Sequence, residues 1–538
     1  MSASRERKER AGLKAVAQPQ KKQEKKKVSE GLILAISVIA ILVAVFGTVL
    51  GIRFHQRNQT VMTVGDKEIT ASEFNYFFNQ TASNYGSYAS YIGIDTTRTI
   101  DVQNVGSENV SMMSMLGMDI DCLEPYKQED GTYDITWAGY FALMARETAA
   151  QTWAVYQAAM ADPNYTVPEE IETGVQNELL NIDLYGQIYA MNTDKFLEAQ
   201  YGDGCNRENY EQHVRVSYIA SDYASNYRYE ASEIDSKYEA ATADFDVATF
   251  MAYTVSASEF LSTEESEATE ESTDETTEED TAAKEEAKAQ AKAAAEAMEK
   301  SFNAEDSAVS IYADYTKASA DSAITEEAGT WIFETAKPGD VKLFENADTD
   351  TYYVVKVLAN DVNYLTGNLM QIVIAADAET ETTVEEDHEG HDHAEEETPE
   401  ETTLTAAEKL EAVKAGLAAD GSEESFRTLA SEHSSNGTVD LEDTAYSYLE
   451  NYIDSAALLW VMEGRQAGDY EVFETANGTY VLYYLGTGET YRNLSVNSAL
   501  VNEWVEQLTA TAVAECKFDM EAAMNASVAL TFNANTEY

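Results

Sequence analysis

"KPGDVKLFENADTDTYYVVKVL" (337–358) and "AGDYEVFETANGTYVLYYL" (467–485) carry one pattern twice. Gly339-Asp340 is followed by Leu343, Phe344, Glu345 and Ala347; Gly468-Asp469 is followed by Val472, Phe473, Glu474 and Ala476. Both read GDxx[LV]FExA. Each runs into an aromatic, β-branched stretch, "TYYVVKVL" (351–358) or "TYVLYYL" (479–485), so the spacing predicts a turn and then a strand. Upstream, "FMAYTVSA" (250–257) and "LMQIVIAA" (369–376) read as a second pair of matching strands. Each is followed by an acidic stretch and then a helical pattern, "AAKEEAKAQAKAAAEAMEK" (282–300) or "TAAEKLEAVKAGLAAD" (405–420). Strand, loop, helix, irregular stretch, GD turn and strand thus occur twice. This predicts a duplicated domain of about 110–120 residues rather than a short-period solenoid.

The chain has 538 residues, 44% of them hydrophobic, enough for several cores. Its net charge of −62 is set against a net of +6 over residues 1–30, which hold ten Lys/Arg and four Asp/Glu. So acidic a surface repels phosphate, which argues against nucleic acid as a partner. Residues 31–52, "GLILAISVIAILVAVFGTVLGI", contain no charge, and 22 residues suffice to cross a bilayer. The preceding "KKQEKKK" places the N-terminus in the cytoplasm and the bulk of the chain outside it. A cleaved signal peptide is the competing reading; the long basic region and long apolar stretch count against it. Three cysteines, Cys122, Cys205 and Cys516, lie too far apart in sequence to suggest a disulfide framework or zinc cluster.

The segments 263–281 and 376–403 are rich in Glu, Asp, Ser and Thr and have few apolar residues to bury. The second includes "HEGHDH", so His388, His391 and His393 stand among carboxylates. Imidazole with carboxylate suits zinc, copper or nickel. The expectation is weak zinc binding at most, with no cofactor required.

After the apolar segment comes "VMTVGDKEITASEFNYFF" (61–78). Val61–Val64 reads as a short strand, Gly65-Asp66 as a turn, and Thr70 with Glu73 as a capping box that starts a helix at about Ala71. Phe74, Phe77 and Phe78 then fall on one helical face. "WAGYFALMARETAAQTWAVYQAAM" (137–160) is a long helix, apolar on more than one face. "SEIDSKYEAATADF" (232–245) reads as a solvent-facing helix leading into a strand. In "VNEWVEQLTATAVAE" (501–515), Val501, Trp504, Val505 and Leu508 share a face.

The second repeat resembles a parvulin, a peptidyl-prolyl isomerase domain. Parvulins open with a strand, pass through helices ending in F-x-x-L-A-x-x-x-S, and close with a Gly-containing turn and a strand. Here the middle segment is "FRTLASEHS", with Phe426, Leu429, Ala430 and Ser434. The first repeat is more diverged but keeps Gly329-Thr330-Trp331 and "KPGDVKLFE". The 61–78 stretch resembles the N-terminal chaperone segment of SurA/PrsA-type foldases. In that family, N-terminal helices and a returning C-terminal helix enclose inserted parvulin domains.

The resemblance implies an α+β chain with one N-terminal transmembrane helix, a helical chaperone module and two parvulin-like domains, each a small antiparallel sheet covered by helices. Its divisions are a basic tail (1–30), a membrane helix (31–52), a helical region (60–244), a first parvulin-like domain (245–360), a second (361–490) and a returning helix (491–538). It implies a protein of the bacterial cell membrane whose partners are unfolded or exported polypeptides.

Active parvulins share two histidines and a Cys or Asp. Here Gln371 stands at the first histidine position in the second repeat, and Ala252 or Tyr253 in the first. Tyr480 stands at the second, with Tyr352 or Tyr353 in the first repeat. Ser434, Ser435 and Asp440 are nearest the acid or thiol position. The candidate catalytic residues are therefore Gln371, Tyr480 and Ser434, with Phe426, Leu429, Phe473 and Met370 as candidate binding residues. The resemblance with its histidines missing implies a folding factor whose isomerase activity is weak or lost. The alternative is a non-enzymatic scaffold built on the same fold.

Protease added to intact spheroplasts is expected to digest the chain beyond the apolar segment and to leave residues 1–30 protected. A mature chain beginning between residues 45 and 60 would overturn this topology.

Overall fold

The computed structural model describes residues 54–261, 278–376, 404–437, 439–476 and 478–526. The expected membrane span, the basic tail and the histidines of "HEGHDH" lie outside these. Among the described residues no helix is long and apolar enough to cross a membrane. The architecture is mixed α and β, with small antiparallel sheets and many helices. It divides into two compact units. One comprises the described residues up to Ser225 and from Val505 onward; the other runs from Asn226 to Trp504.

In the first unit, β1 (Thr60–Val64) and β2 (Lys67–Thr70) form a hairpin around Gly65-Asp66. The second strand is an element the local pattern did not announce. It is four residues long, and only Ile69 of it is buried. Thr70 ends the hairpin and caps α1 (Ala71–Asn84): its hydroxyl accepts from Glu73 N, and its own N donates to the Glu73 carboxylate at 2.8 Å. Phe74, Phe77 and Phe78 are all buried, as their spacing predicts. They meet Trp137, Tyr140 and Phe141 from α3 (Trp137–Ala161), which lies beyond the short α2 (Val110–Met115). Gln157 of α3 donates to Val64 O at 2.9 Å and so ties the hairpin to that helix.

A second cluster joins α4 (Glu169–Ile188), α5 (Thr193–Tyr201) and α6 (Arg207–Asn226) to Tyr76 on the far side of α1. His213 of α6 is enclosed there. Its ring stacks on Tyr76 at 5.0 Å and meets the edge of Phe77 at 4.7 Å.

The second unit begins with α7 (Ala231–Ala240) and α8 (Thr242–Phe245) and then unfolds the repeat twice. The first copy is β3 (Val247–Ser256), α9 (Glu278–Lys300), β4 (Val309–Thr316), α10 (Lys317–Ala323), α11 (Glu326–Glu334), β5 (Val341–Asn346) and β6 (Thr351–Ala359). The second copy is β7 (Leu365–Ile374), α12 (Ala406–Ala419), α13 (Glu423–His433), β8 (Val439–Thr444), α14 (Tyr446–Tyr452), α15 (Ser455–Met462), β9 (Tyr470–Thr475) and β10 (Gly478–Thr490). The two sheets have the same antiparallel order, β4-β3-β6-β5 and β8-β7-β10-β9. Among the described residues, α12 and α13 stand in the second copy where α9 stands in the first.

The GD motif is explained by hydrogen bonds repeated bond for bond. Gly339 N donates to Val357 O at 2.7 Å, and Gly468 N to Tyr484 O at 2.9 Å. Lys337 N donates to the Asp340 carboxylate at 2.9 Å, and Gln466 N to that of Asp469 at 2.8 Å. Both glycines have φ near the left-handed range, +93° and +98°, where a side chain would be strained. The aspartate thus fastens a turn that the glycine permits.

Each sheet is covered on both faces because successive strand residues point to opposite sides. In the first copy, Ala287, Ala291 and Ala295 of α9 face Val255, Tyr352 and Val354, while α10 and α11 cover Ala248, Phe250, Ala252 and Val355. In the second, α12 and α13 cover Met370, Ile372, Ile374 and Val481, while α14 and α15 cover Leu369, Leu482 and Tyr484.

The last long helix, α16 (Tyr491–Glu515), starts in the second unit and ends in the first. After it, Asp519 N donates to Val61 O at 2.8 Å, Phe518 meets Phe74 at 5.9 Å, and Ala522 and Ala523 of α17 (Met520–Ala526) are buried in the α1–α3 core.

Burial pushes His213 down to about 4 from its ordinary 6.5. The unfolded chain takes up a proton near pH 6.5 and the folded chain only near pH 4. His213 therefore costs stability progressively as pH falls across that window, on the order of 3 kcal/mol in all. Urea midpoints measured between pH 7 and pH 4 are expected to fall less steeply in His213→Phe than in the parent; parallel slopes would contradict the assignment.

Candidate functional site

Registering the two sheets on their GD turns resolves which residues correspond. Gln371 on β7 is opposite Leu482 of β10, and Ala252 on β3 is opposite Val355 of β6. Tyr480 is paired with Phe473, and Tyr353 with Phe344. Gln371 and Tyr480 therefore correspond to Ala252 and Tyr353. Tyr253 and Tyr352 belong to the opposite face, against α9. Strand alternation alone left both pairs open; the cross-strand register decides between them.

On this face each copy builds the same aromatic corner. In the second, Trp460 of α15 meets Phe473 edge-on at 6.0 Å, and the Arg465 guanidinium lies 5.2 Å from the Trp460 ring. In the first, Trp331 of α11 meets Phe344 at 5.5 Å, and the Lys342 ammonium lies 4.6 Å from Phe344 and 5.9 Å from Trp331. Tyr480 and Tyr353 are half-buried beside these pairs. Gln371 is only 7% exposed, on the same side of its sheet as Leu369 and Leu482. The corner offers aromatic faces, a cation, one amide and one phenol. In the first copy the amide is replaced by Ala252, which is fully buried.

The other sequence candidates do not join this corner. Met370, Phe426 and Leu429 lie on the opposite face of the β7–β10 sheet, in the core under α12 and α13. Gly416 of α12 explains part of that closeness: a Cβ there would stand 2.7 Å from the Leu429 side chain. Ser434 is occupied by the sheet. Its hydroxyl accepts from Val373 N at 3.1 Å, and Ser435 N donates to Val373 O at 2.7 Å. The two serines thus extend the β7 edge beyond β8. Asp440 is held by Arg427 at 3.0 Å. Of the seven candidates, the structure brings together Gln371, Tyr480 and Phe473.

Among the described residues no imidazole belongs to either corner. His388, His391 and His393 lie outside the described residues; among those described, no group of His, Cys, Asp and Glu is placed to hold a metal ion. A polar cavity of about 450 Å³ in the first unit is lined by Arg57, Ser72, Asn192, Lys195, Cys205 and Asn209. It is poorly suited to nucleophilic chemistry. Burial pushes the Cys205 thiol up to about 12, and Lys195 is paired with Glu198.

The residue that sequence reasoning missed is Asp314 of β4. It has a left-handed φ of +55°, matched by +48° at Asp443 in the second copy. Its carboxylate accepts from the Tyr364 hydroxyl at 2.9 Å and from Ser447 N at 2.8 Å. Tyr364 in turn lies between Tyr446, stacked at 3.9 Å, and Tyr491 at 5.2 Å. These contacts fasten the first copy to the second. Desolvation raises the Asp314 pKa despite the donors around it. Only the repeated left-handed aspartate could have hinted at it, and φ is not visible in a sequence.

Asp314→Ala leaves the half-buried Tyr364 hydroxyl and Ser447 N–H without their acceptor, and is expected to destabilise the fold by about 1–3 kcal/mol. Asp314→Asn keeps an acceptor and tolerates the left-handed backbone, so it should cost less. In a double-mutant cycle, Tyr364→Phe and Asp314→Ala should be clearly non-additive; additive urea-midpoint losses would show that the pair is not coupled.

No family model matches the chain and no curated protein matches it, so the reading of this corner rests on its own geometry.

Proposed function

We propose that this chain is a membrane-anchored extracytoplasmic folding factor, with a helical chaperone module and two parvulin-like domains, that holds unfolded exported polypeptides and isomerises proline weakly or not at all. The observation that carries the reading is the duplicated corner. Two sheets of identical order present the same Trp–Phe–Tyr arrangement on the same face, and among the described residues neither has a histidine there. The strand–helix–turn–strand plan of the second copy, with "FRTLASEHS" on α13 packed under its sheet, supports the parvulin resemblance.

Prolyl isomerisation makes and breaks no covalent bond. It requires a site that favours the twisted amide over the planar one against a barrier of about 18–20 kcal/mol. An apolar aromatic corner can hold a proline ring without lowering that barrier. Gln371 and Tyr480 are hydrogen-bond donors in the second copy, whereas the first has only Tyr353. Donor assistance of the general acid–base kind contributes about 10²–10⁴-fold where it is well placed, so residual catalysis belongs to the second copy. The rival reading is a scaffold for one partner; the fully buried Ala252, which leaves the first corner without an amide, favours that role for the first copy.

Two measurements test the proposal together. The chain should suppress aggregation of unrelated unfolded proteins, basic ones better than acidic ones, with the difference reduced by salt. It should accelerate proline-limited refolding only slightly, with little change in Gln371→Ala or Tyr480→Phe. A strong wild-type rate that collapses in either variant would make this a working isomerase; protection of a single client alone would make it a scaffold.

A further inference from the structure

α4 leaves an apolar row uncovered. Leu180, Leu184 and Ile188 recur every four residues on one line of the helix and are 63%, 55% and 65% exposed. Beside them stand Tyr185 and Tyr189, 51% and 59% exposed, both stacked on Phe196 of α5, at 6.2 and 5.6 Å. Met191 completes the patch at 44%. The opposite side of the same helix is ordinary core: Val175, Leu179 and Ile182 are buried against Tyr76 and Tyr210. The helix ends where Met191 N donates to Gly186 O at 2.8 Å across Ala190, which adopts φ +54°. That turn holds Tyr189 and Met191 beside the row.

Taking roughly 200 Å² for a whole large side chain, the six exposed residues offer on the order of 650 Å². This exceeds the few hundred Å² that a monomer's surface ordinarily leaves apolar and contiguous. It falls short of the roughly 800 Å² per partner of a stable symmetric pair. Charge also argues against a second copy. α4 carries Glu169, Glu170, Glu172, Glu178 and Asp183 and no Lys or Arg, in a chain of net charge −62; α6 answers two of these charges, Arg215 pairing Glu172 and Arg207 pairing Asp183. Two such helices would repel. From Leu180 to Ile188 is eight steps of helix, about 12 Å, matching about four residues of an extended segment.

We infer that the Leu180–Leu184–Ile188 row, with the Tyr185–Tyr189 shelf, docks an extended polypeptide segment whose apolar and aromatic centre is flanked by Lys or Arg. The inference rests on the proposed polypeptide-holding function and gives it a place and a client chemistry. The apolar centre lies on the row, the tyrosine faces accept a ring or a cation, and the acidic helix attracts the basic flanks.

The test uses the full-length chain and two synthetic peptides with one Leu/Phe centre, flanked by lysines in one and by glutamates in the other. The lysine peptide is expected to bind at least about tenfold more tightly than its twin, with salt narrowing the gap. Leu184→Ser with Ile188→Ser should weaken it by about tenfold or more, while Met115→Ser, at an equally exposed site elsewhere in the unit, should not. The substituted positions are exposed, so an unchanged thermal midpoint is expected and confirms folding. Equal affinity in parent and double variant would overturn the inference. So would a parent that dimerises in sedimentation while the double variant does not. Aggregation suppression separates the two proposals. If the parent suppresses aggregation and the double variant does so equally well, with unchanged peptide affinity, the inference fails and the proposed function stands. If the parent suppresses nothing yet its peptide binding is lost in the double variant, the function fails and the docking surface stands.

Discussion

One half-buried carboxylate joins the two copies of the second unit. Asp314 belongs to the first copy, yet its hydrogen-bond donors, Tyr364 and Ser447, come from the connecting segment and the second copy. A carboxylate taken out of water is costly unless donors meet it. Here the donors come from elements far along the chain, so the pairing forms only when both copies are folded and juxtaposed. Tyr364, which donates to it, is stacked between Tyr446 and Tyr491. Ile311 and Ala313 of the same strand extend the contact into the core around Leu449 and Trp460. The junction of the copies is thus apolar around one polar clasp, which fixes their register.

Duplication preserved some features and released others. Both GD turns keep the same backbone bonds and the same aspartate fastening, because the turn positions the β-hairpin beyond it. Both aromatic corners keep Trp, Phe and Tyr. Among the described residues, the amide at Gln371 and the second helix under the sheet are seen in the second copy and not in the first. What was kept in both maintains the shape of the sheet face; what differs is what could act chemically on a bound amide. Under the proposed function, that asymmetry assigns binding to both copies and any catalysis to the second alone.

Much of this organisation is legible in the residues. The Thr70–Glu73 capping box places the start of α1, the Phe74–Phe77–Phe78 spacing places its buried face, and the repeated GDxx[LV]FExA places the turn and closing strand of each copy, though not β5 and β9 within the motif itself. Strand β2 was not legible, since four residues with one buried side chain give too short a pattern to detect. The candidate site was legible in part. Gln371, Tyr480 and Phe473 meet on one face, whereas Phe426, Leu429 and Met370, drawn from equally motif-like segments, fill the opposite core. Ser434 carries a motif position and spends its hydroxyl on the sheet edge.

The sequence by itself determined the long helices, the opening and closing strand of each copy, the twofold repeat, the turn chemistry and the acidic character of the chain, because each of these depends on neighbours within a few residues or on composition alone. Tertiary structure decided which Tyr of each adjacent pair faces the corner, where the Asp314 carboxylate finds its donors, and that the Leu180–Leu184–Ile188 row stays uncovered while Val175, Leu179 and Ile182 do not. Periodicity states which residues share a face. It does not state which other element, tens or hundreds of residues away, arrives to cover that face, and burial, register and exposure are all set by that arrival.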